Sequence, residues 1–192
     1  MLTRRRDQKK GFTLIEVMVV LVILGLLLTQ AMPSFTAWMA NLQIRNSAEA
    51  ILNGLQLARA QAVRSNVNTQ LVLTSSDPVI GNVNSAVASL SGANWIIRNF
   101  QPTGTYSSAD FVQGRSGKEG SRQALIVADQ SSFIFTPLGR LLNPPAATVN
   151  INISNGASYT NKRPMRILVS PGGQVLMCDP NKVDPTNPQF CP

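Results

Sequence analysis

Apolar residues along the chain follow three successive patterns. From Val17 to Leu28 every residue is apolar or glycine, and with Phe12 to Ile15 included the run approaches the roughly 20 residues a bilayer-crossing helix needs. After Pro33 the apolar positions Ile44, Ala48, Ile51, Leu55, Ala58 and Ala62 recur at three- or four-residue steps, while Gln43, Arg45, Glu49, Asn53, Gln56 and Arg59 fall mostly elsewhere. This predicts an amphipathic helix with one buried face, ending at about Ser65, where RSNVN breaks the period. The remainder reads as short strands at 68–74, 94–100, 123–128, 131–136, 148–154, 165–170 and 173–178, rich in β-branched or aromatic residues and separated by turn signals. In TVNINIS, Val149, Ile151 and Ile153 share one face, and SPGGQ before the last strand reads as a tight hairpin turn. Two polar stretches, 75–93 and 101–122, read as loops. The expected class is α+β: a long N-terminal helix, transmembrane in its lower half, whose upper half packs on sheet.

Glu16 interrupts the first pattern. A carboxylate in hydrocarbon costs at least about 2.5 to 3.5 kcal/mol on insertion scales, so such a residue reads as functional and calls for a partner. Chance tolerance by snorkelling is the plain alternative.

Composition narrows the chemistry. Histidine is absent and the only cysteines are Cys178 and Cys191, so histidine-based acid/base catalysis, the usual serine triad and the common zinc sites lack their groups. A serine-lysine pair is disfavoured because Lys118, Lys162 and Lys182 lie in polar, turn-rich sequence with nothing to desolvate them. The expectation is a protein without catalytic residues, metal or cofactor. The formal charge of +8 is concentrated at the start: Arg4, Arg5, Arg6, Lys9 and Lys10 face only Asp7, so the chain without its first eleven residues carries +4. That remainder does not demand a nucleic-acid partner.

A basic start followed by an apolar run is the layout of a secretory signal, but the run is too long and no A-x-A site closes it. An uncleaved anchor is the alternative, with the basic end held in the cytoplasm and everything after about Pro33 exported. The residues KKGFTLIEV add a third option. A basic leader ending in Gly11, then Phe12, a Thr-Leu-Ile run and Glu16 as the fifth residue after the glycine resembles the processing site of type IV prepilins. The resemblance implies cleavage between Gly11 and Phe12 by a membrane-embedded prepilin peptidase and methylation of the new amine. It implies that Glu16 pairs with the N-terminal ammonium of a neighbouring subunit, offsetting the burial of both charges. Gly25 and Pro33 fall where that family carries helix-weakening residues; a kinked membrane helix is the ordinary reading of the same pair.

Further along, LARAQAVRSN, a strand, a strand bearing Trp95, FTPLGRL and RILVSPGGQVLMCDP are similar to the GspH/FimT-like minor pilins and pseudopilins. This implies a small, mostly antiparallel β-sandwich-like head on the helix, divided as leader 1–11, transmembrane or filament-core helix 12–33, amphipathic stalk 34–65 and head 66–192. Leu57, Ala58 and Arg59 with Ala62 and Arg64 match the family's helix end; Phe135, Pro137 and Gly139 match its mid-domain turn. The apolar members of both sets are expected in the core and Gly139 in a turn. The implied role is a structural subunit of a type IV pilus priming or tip complex, with a type II secretion pseudopilin as the alternative. The implied partners are other pilins or pseudopilins, the peptidase, an inner-membrane assembly platform and the membrane; the head would be periplasmic, later in a pilus or pseudopilus.

Cys178 and Cys191 enclose DPNKVDPTNPQF. An even pair in an exported domain is most simply a disulfide, worth about 3 kcal/mol for a loop of this size; two free thiols are the alternative. Basic residues gather at Arg115, Lys118 and Arg122 and at Lys162, Arg163 and Arg166. Some relatives bind DNA through a C-terminal glycine-arginine-x-arginine pattern, and the matching position here reads Gly173, Gln174, Val175, Leu176. A solvated surface is therefore the preferred reading of these charges over a DNA site.

Overall fold

The computed structural model describes residues 11–117, 119, 123–156 and 162–192. The basic leader residues, Lys118 and Arg122 lie outside them. The first secondary element is the helix α1 (Leu14–Ser65), and the chain divides into two compact units, one ending at Trp38 and the other spanning Met39–Pro192. The helix backbone continues through both Gly25 and Pro33. It stops where Asn66 takes a positive φ of 55°, a left-handed conformation that asparagine adopts more readily than most residues and that ends the hydrogen-bond ladder.

Among the described residues of the second unit eight strands form two four-stranded antiparallel sheets. The first contains β1 (Thr69–Thr74), β2 (Asn94–Asn99), β3 (Phe111–Arg115) and β5 (Ser132–Phe135) in the order β3-β2-β1-β5. The second contains β4 (Ala124–Ala128), β6 (Val149–Asn155), β7 (Met165–Val169) and β8 (Val175–Cys178) in the order β4-β6-β7-β8. The chain passes from one sheet to the other between β4 and β5, and this short link is bonded to both: Asp129 N–H donates to the Asn150 carbonyl at 2.9 Å, and Leu73 N–H to the Ser131 carbonyl at 2.8 Å.

One core joins the helix to both sheets. Ile44, Ala48, Ile51, Leu55, Ala58 and Ala62 are all buried, as the period predicts. They share a cluster with Leu71, Leu73, Trp95, Ile97, Phe133 and Phe135 of the first sheet and with Ile126, Ile151, Ile153, Ile167 and Val169 of the second. The contact with Trp95 is close: a Cβ added at Gly54 would lie 3.0 Å from its indole. Leu57 departs from expectation, being exposed, because it follows Leu55 by two residues and precedes Ala58 by one, off the three-and-four stripe. Pro137 is only half-buried, whereas Phe135 is fully buried and Gly139 has a φ of +73° in its turn.

β1 is buried along its whole length. Leu71 and Leu73 face the helix, whereas Gln70 and Val72 pair with Arg98 and Ile96 on the opposite face. Segments that read as polar loops cover that face. Arg98 Nε donates to Gln70 Oε1 at 2.9 Å, Tyr106 OH to the same oxygen at 2.8 Å, and Gln70 Nε2 to Ser132 Oγ at 2.7 Å. The guanidinium also donates to the Val83 carbonyl and lies 3.5 Å from the Tyr106 ring centroid. Burial lowers the Arg98 pKa, while its charge interaction and hydrogen bond with Tyr106 oppose that shift. The network ties both loops to β1 and β2.

The second of those loops contains β3, a strand its sequence conceals: FVQGR has two leading apolar residues and a glycine, and it is a half-buried edge strand. Gly114 is required by close approach, since a Cβ there would lie 2.1 Å from the Pro78 carbonyl oxygen.

Phe133 is fully buried in the shared core, so Phe133→Ala should destabilise the head by about 3–5 kcal/mol. Leu138, 76% exposed, should tolerate alanine within about 0.5 kcal/mol. Urea denaturation of the two variants checks the contrast.

Candidate processing and assembly site

The helix begins with a built N-terminus. The Thr13 hydroxyl accepts the Glu16 N–H at 3.3 Å and the Thr13 carbonyl accepts the Val17 N–H at 3.3 Å, so Thr13 is the cap and Glu16 the third helical residue. Thr13-x-x-Glu16 is the sequence form of a capping box, a signal that points to Thr13 as well as to the glutamate. The position also places a negative charge at the positive end of the helix dipole, a gain of about 0.3–1 kcal/mol at an exposed site. This falls short of the roughly 2.5–3.5 kcal/mol cost of a carboxylate in hydrocarbon, so a further cation is needed if Glu16 enters the bilayer core.

Around this start none of the described residues covers the apolar surface. Phe12 is 84% exposed, and no side chain from Leu14 to Leu28 is buried. The helix has the length and mean hydropathy, 2.5 over its most apolar window, to cross a membrane. A helix apolar all round is stable only in lipid or among other helices. Gly11 and Gly25 each have open space where a Cβ would stand, so internal packing explains neither. At Gly25 the helix forgoes about 1 kcal/mol relative to alanine with no gain in its own fold.

At the other end of the chain Cys178 and Cys191 form a disulfide, with Cα atoms 5.2 Å apart. The segment between them contains three repeats of one local device, Asp179-Pro180-Asn181, Asp184-Pro185-Thr186 and Asn187-Pro188-Gln189. In each, the first side chain accepts the N–H of the third residue, all at 2.9 Å. The proline presets φ and the carboxylate or amide oxygen closes the turn. Asp179 N–H then donates to the Gln189 carbonyl at 2.8 Å, drawing the tail back beside the end of β8. Thr186 also donates its hydroxyl to Asp184 at 2.8 Å, and the backbone bond first, then the hydroxyl, hold the Asp184 carboxyl below its ordinary pKa. Asp110, in the loop before β3, is lowered likewise by the Ser107 N–H, then by Gln101 and the Ser107 hydroxyl.

The described residues of the two basic groups are associated with different sheets. Arg115 ends β3, opposite Trp95 in the first sheet, whereas Lys162 and Arg163 precede β7 of the second and Arg166 lies within it. Arg166 Nε is engaged by Asn152 Oδ1 at 2.7 Å, and the Arg163 N–H by Asn41 Oδ1 at 3.0 Å. Gln174 and Leu176 occupy the β7–β8 turn and the exposed face of β8. Among the described residues no group of three histidine, cysteine, aspartate or glutamate side chains is placed to hold a metal.

Comparison with known families assigns both regions. The prokaryotic N-terminal methylation motif matches residues 6–29, and the type II transport protein GspH model matches residues 47–173, well over half the chain. The chain belongs to the GspH family. This GspH-family chain shares its fold with a minor pilin, an α+β arrangement of one long N-terminal helix and two antiparallel sheets packed on it. The crystal structure of the type IV minor pilin FimU of Pseudomonas aeruginosa (strain PAO1) in space group P21 matches with a TM-score of 0.50 and 17% identity, covering 72% of this chain and 93% of that one. FimU in space group P65 gives a TM-score of 0.49 at 17% identity, with 72% and 98% covered. The minor pseudopilin EpsH from the Type 2 Secretion System of Vibrio cholerae gives 0.48 at 9% identity, with 73% and 99% covered. The comparison with curated proteins found no match.

Opening the disulfide should cost the head about 3 kcal/mol, so Cys191→Ser should shift its urea midpoint down while a reducing agent has no further effect on the variant. The lowered carboxyls give a pH dependence of definite sign. Asp110 and Asp184 bind their proton more weakly in the fold, so their contribution is complete above the ordinary aspartate pKa of about 3.9 and is lost as pH falls through the lower folded values. Thermal melts between about pH 5 and pH 2 should show the head weakening on acidification, with a smaller loss in Asp110→Asn/Asp184→Asn.

Proposed function

We propose that this chain is a minor type IV pilin, a non-catalytic subunit of a priming or tip complex that helps start pilus assembly. One observation carries the reading: Gly11, Phe12 and Glu16 stand in prepilin-like order at the head of an apolar helix that the described residues leave uncovered. The GspH-family head makes the rest of the chain consistent with it. In this reading a prepilin peptidase cuts between Gly11 and Phe12 on the cytoplasmic side and methylates the new amine. The mature helix holds the subunit in the inner membrane with its head in the periplasm until the assembly platform moves it into a filament of other pilins. There Glu16 meets a neighbouring subunit's terminal ammonium, supplying the cation that the helix dipole alone does not replace. Gly25 and Pro33 are sites where the helix yields as lipid is exchanged for helix neighbours.

The family description, a type II transport protein, favours a second reading in which the same chain is a pseudopilin of a secretion system. Deleting the gene and measuring piliation, secretion and transformation together separates the two. Lost pili with intact secretion supports the first, and the reverse supports the second. A transformation defect with normal pili would favour a DNA receptor instead, a role for which the separated basic residues and the Gln174 and Leu176 positions offer little support.

Glu16→Val should insert in the membrane and be cleaved, yet incorporate poorly into filaments or the priming complex when partner pilins are normal. Mass spectrometry of the membrane fraction checks cleavage and methylated Phe12, and filament shearing checks incorporation.

A further inference from the structure

From Val17 to Ile44 the chain contains no charged residue, so no lysine or arginine stands at the far end of the apolar run to hold it at a fixed depth. Aromatic residues stand there instead. Phe35 and Trp38 are 58% and 55% exposed, and their ring centroids lie 5.8 Å apart. Met32, 65% exposed, continues the same stripe three residues earlier, and Met39 flanks it.

Spacing identifies the surroundings that suit this pair. Leu14 to Met32 rises about 27 Å at about 1.5 Å per residue, close to the hydrocarbon thickness of about 30 Å. Phe35 then lies about 4.5 Å and Trp38 about 9 Å beyond Met32, a span matching the headgroup layer of about 5–8 Å on each side. Within the run the one hydroxyl, Thr29, is satisfied by its own helix, donating to the Leu26 carbonyl at 2.8 Å, and the other polar side chains, Glu16 and Gln30, stand near its two ends. Indole carries an apolar body and one N–H donor, the chemistry that partitions to an ester-carbonyl and phosphate zone.

We propose that Phe35 and Trp38 form an interfacial anchor that inserts among lipid headgroups on the head side of the bilayer and sets the depth at which the subunit waits before assembly. The ligand is the phospholipid interface, recognised by one ring in the acyl boundary and one indole N–H among headgroup oxygens. The proposal rests on the membrane-anchored reading given above. It assigns to this end of the helix the depth-setting role that basic side chains often perform.

The chain contains only two tryptophans, Trp38 and the buried Trp95, so fluorescence reports the site directly. The full-length mature chain is reconstituted in phosphatidylcholine/phosphatidylglycerol vesicles carrying bromine either high or low on the acyl chains, and flotation is scored in the same samples. The expected result is co-flotation, stronger loss of emission with the shallow bromines than with the deep ones, and loss of that difference in Trp38→Phe. Co-flotation with equal or deeper quenching overturns the interfacial anchor and leaves the membrane reading standing. Co-flotation with unquenched, blue-shifted Trp38 emission means that protein covers the pair, which also overturns it. Failure to float removes the membrane reading itself. Trp38→Tyr should restore the wild-type protease-protection pattern that Phe35→Ala/Trp38→Ala shifts, as an amphipathic ring requires; an unchanged pattern in the double variant overturns the depth-setting role.

Discussion

Ile44, Ile51 and Leu55 leave water because residues from two separate sheets share one cluster with them. The first sheet supplies Leu71, Trp95 and Phe133, the second Ile126, Ile151 and Ile167, and the helix stripe completes the cluster. Neither sheet could bury its inner face alone, as a four-stranded sheet with one apolar side needs a covering layer. The helix is therefore structural for the head as well as for the apolar run before it. The same constraint explains why β4 and β5 lie in different sheets although they are neighbours in sequence, since the link between them is held from both sides.

The start of the helix obeys the opposite condition. There the apolar surface is complete and none of the described residues covers it. A capped first turn with a glutamate at its third position is favourable for any helix in water. The same glutamate becomes a cost once the helix enters lipid. Capping thus accounts for part of the Glu16 position, and the remaining imbalance is what gives a neighbouring cation its proposed place.

Periodicity was a good guide wherever burial was one-sided. Val149, Ile151 and Ile153 alternate with Asn150, Asn152 and Ser154, and all three apolar residues are buried. The helix stripe was legible for the same reason. β3 was not, because an edge strand of mixed residues has no alternation strong enough to stand out from a loop. Arg98 was also hidden: charge in a strand ordinarily marks a solvent face, and here two distant loops fold over it and supply Tyr106 and the Val83 carbonyl. At the candidate site Gly11, Phe12 and Glu16 stood out from sequence order alone. Thr13 is less conspicuous, although the T-x-x-E spacing carries it, because in sequence it stands between Phe12 and an apolar run.

The tail after β8 has a different kind of independence. No residue beyond Cys178 belongs to the core cluster, and the shape of the segment is set by three side-chain-closed turns within a covalent loop. Its conformation is thus decoupled from its outward chemistry. Residues such as Lys182 and Val183, which stand exposed between the turn-forming positions, can change in size or charge without altering the head's interior. Substitutions in this part of the surface are thereby kept separate from the fold beneath it.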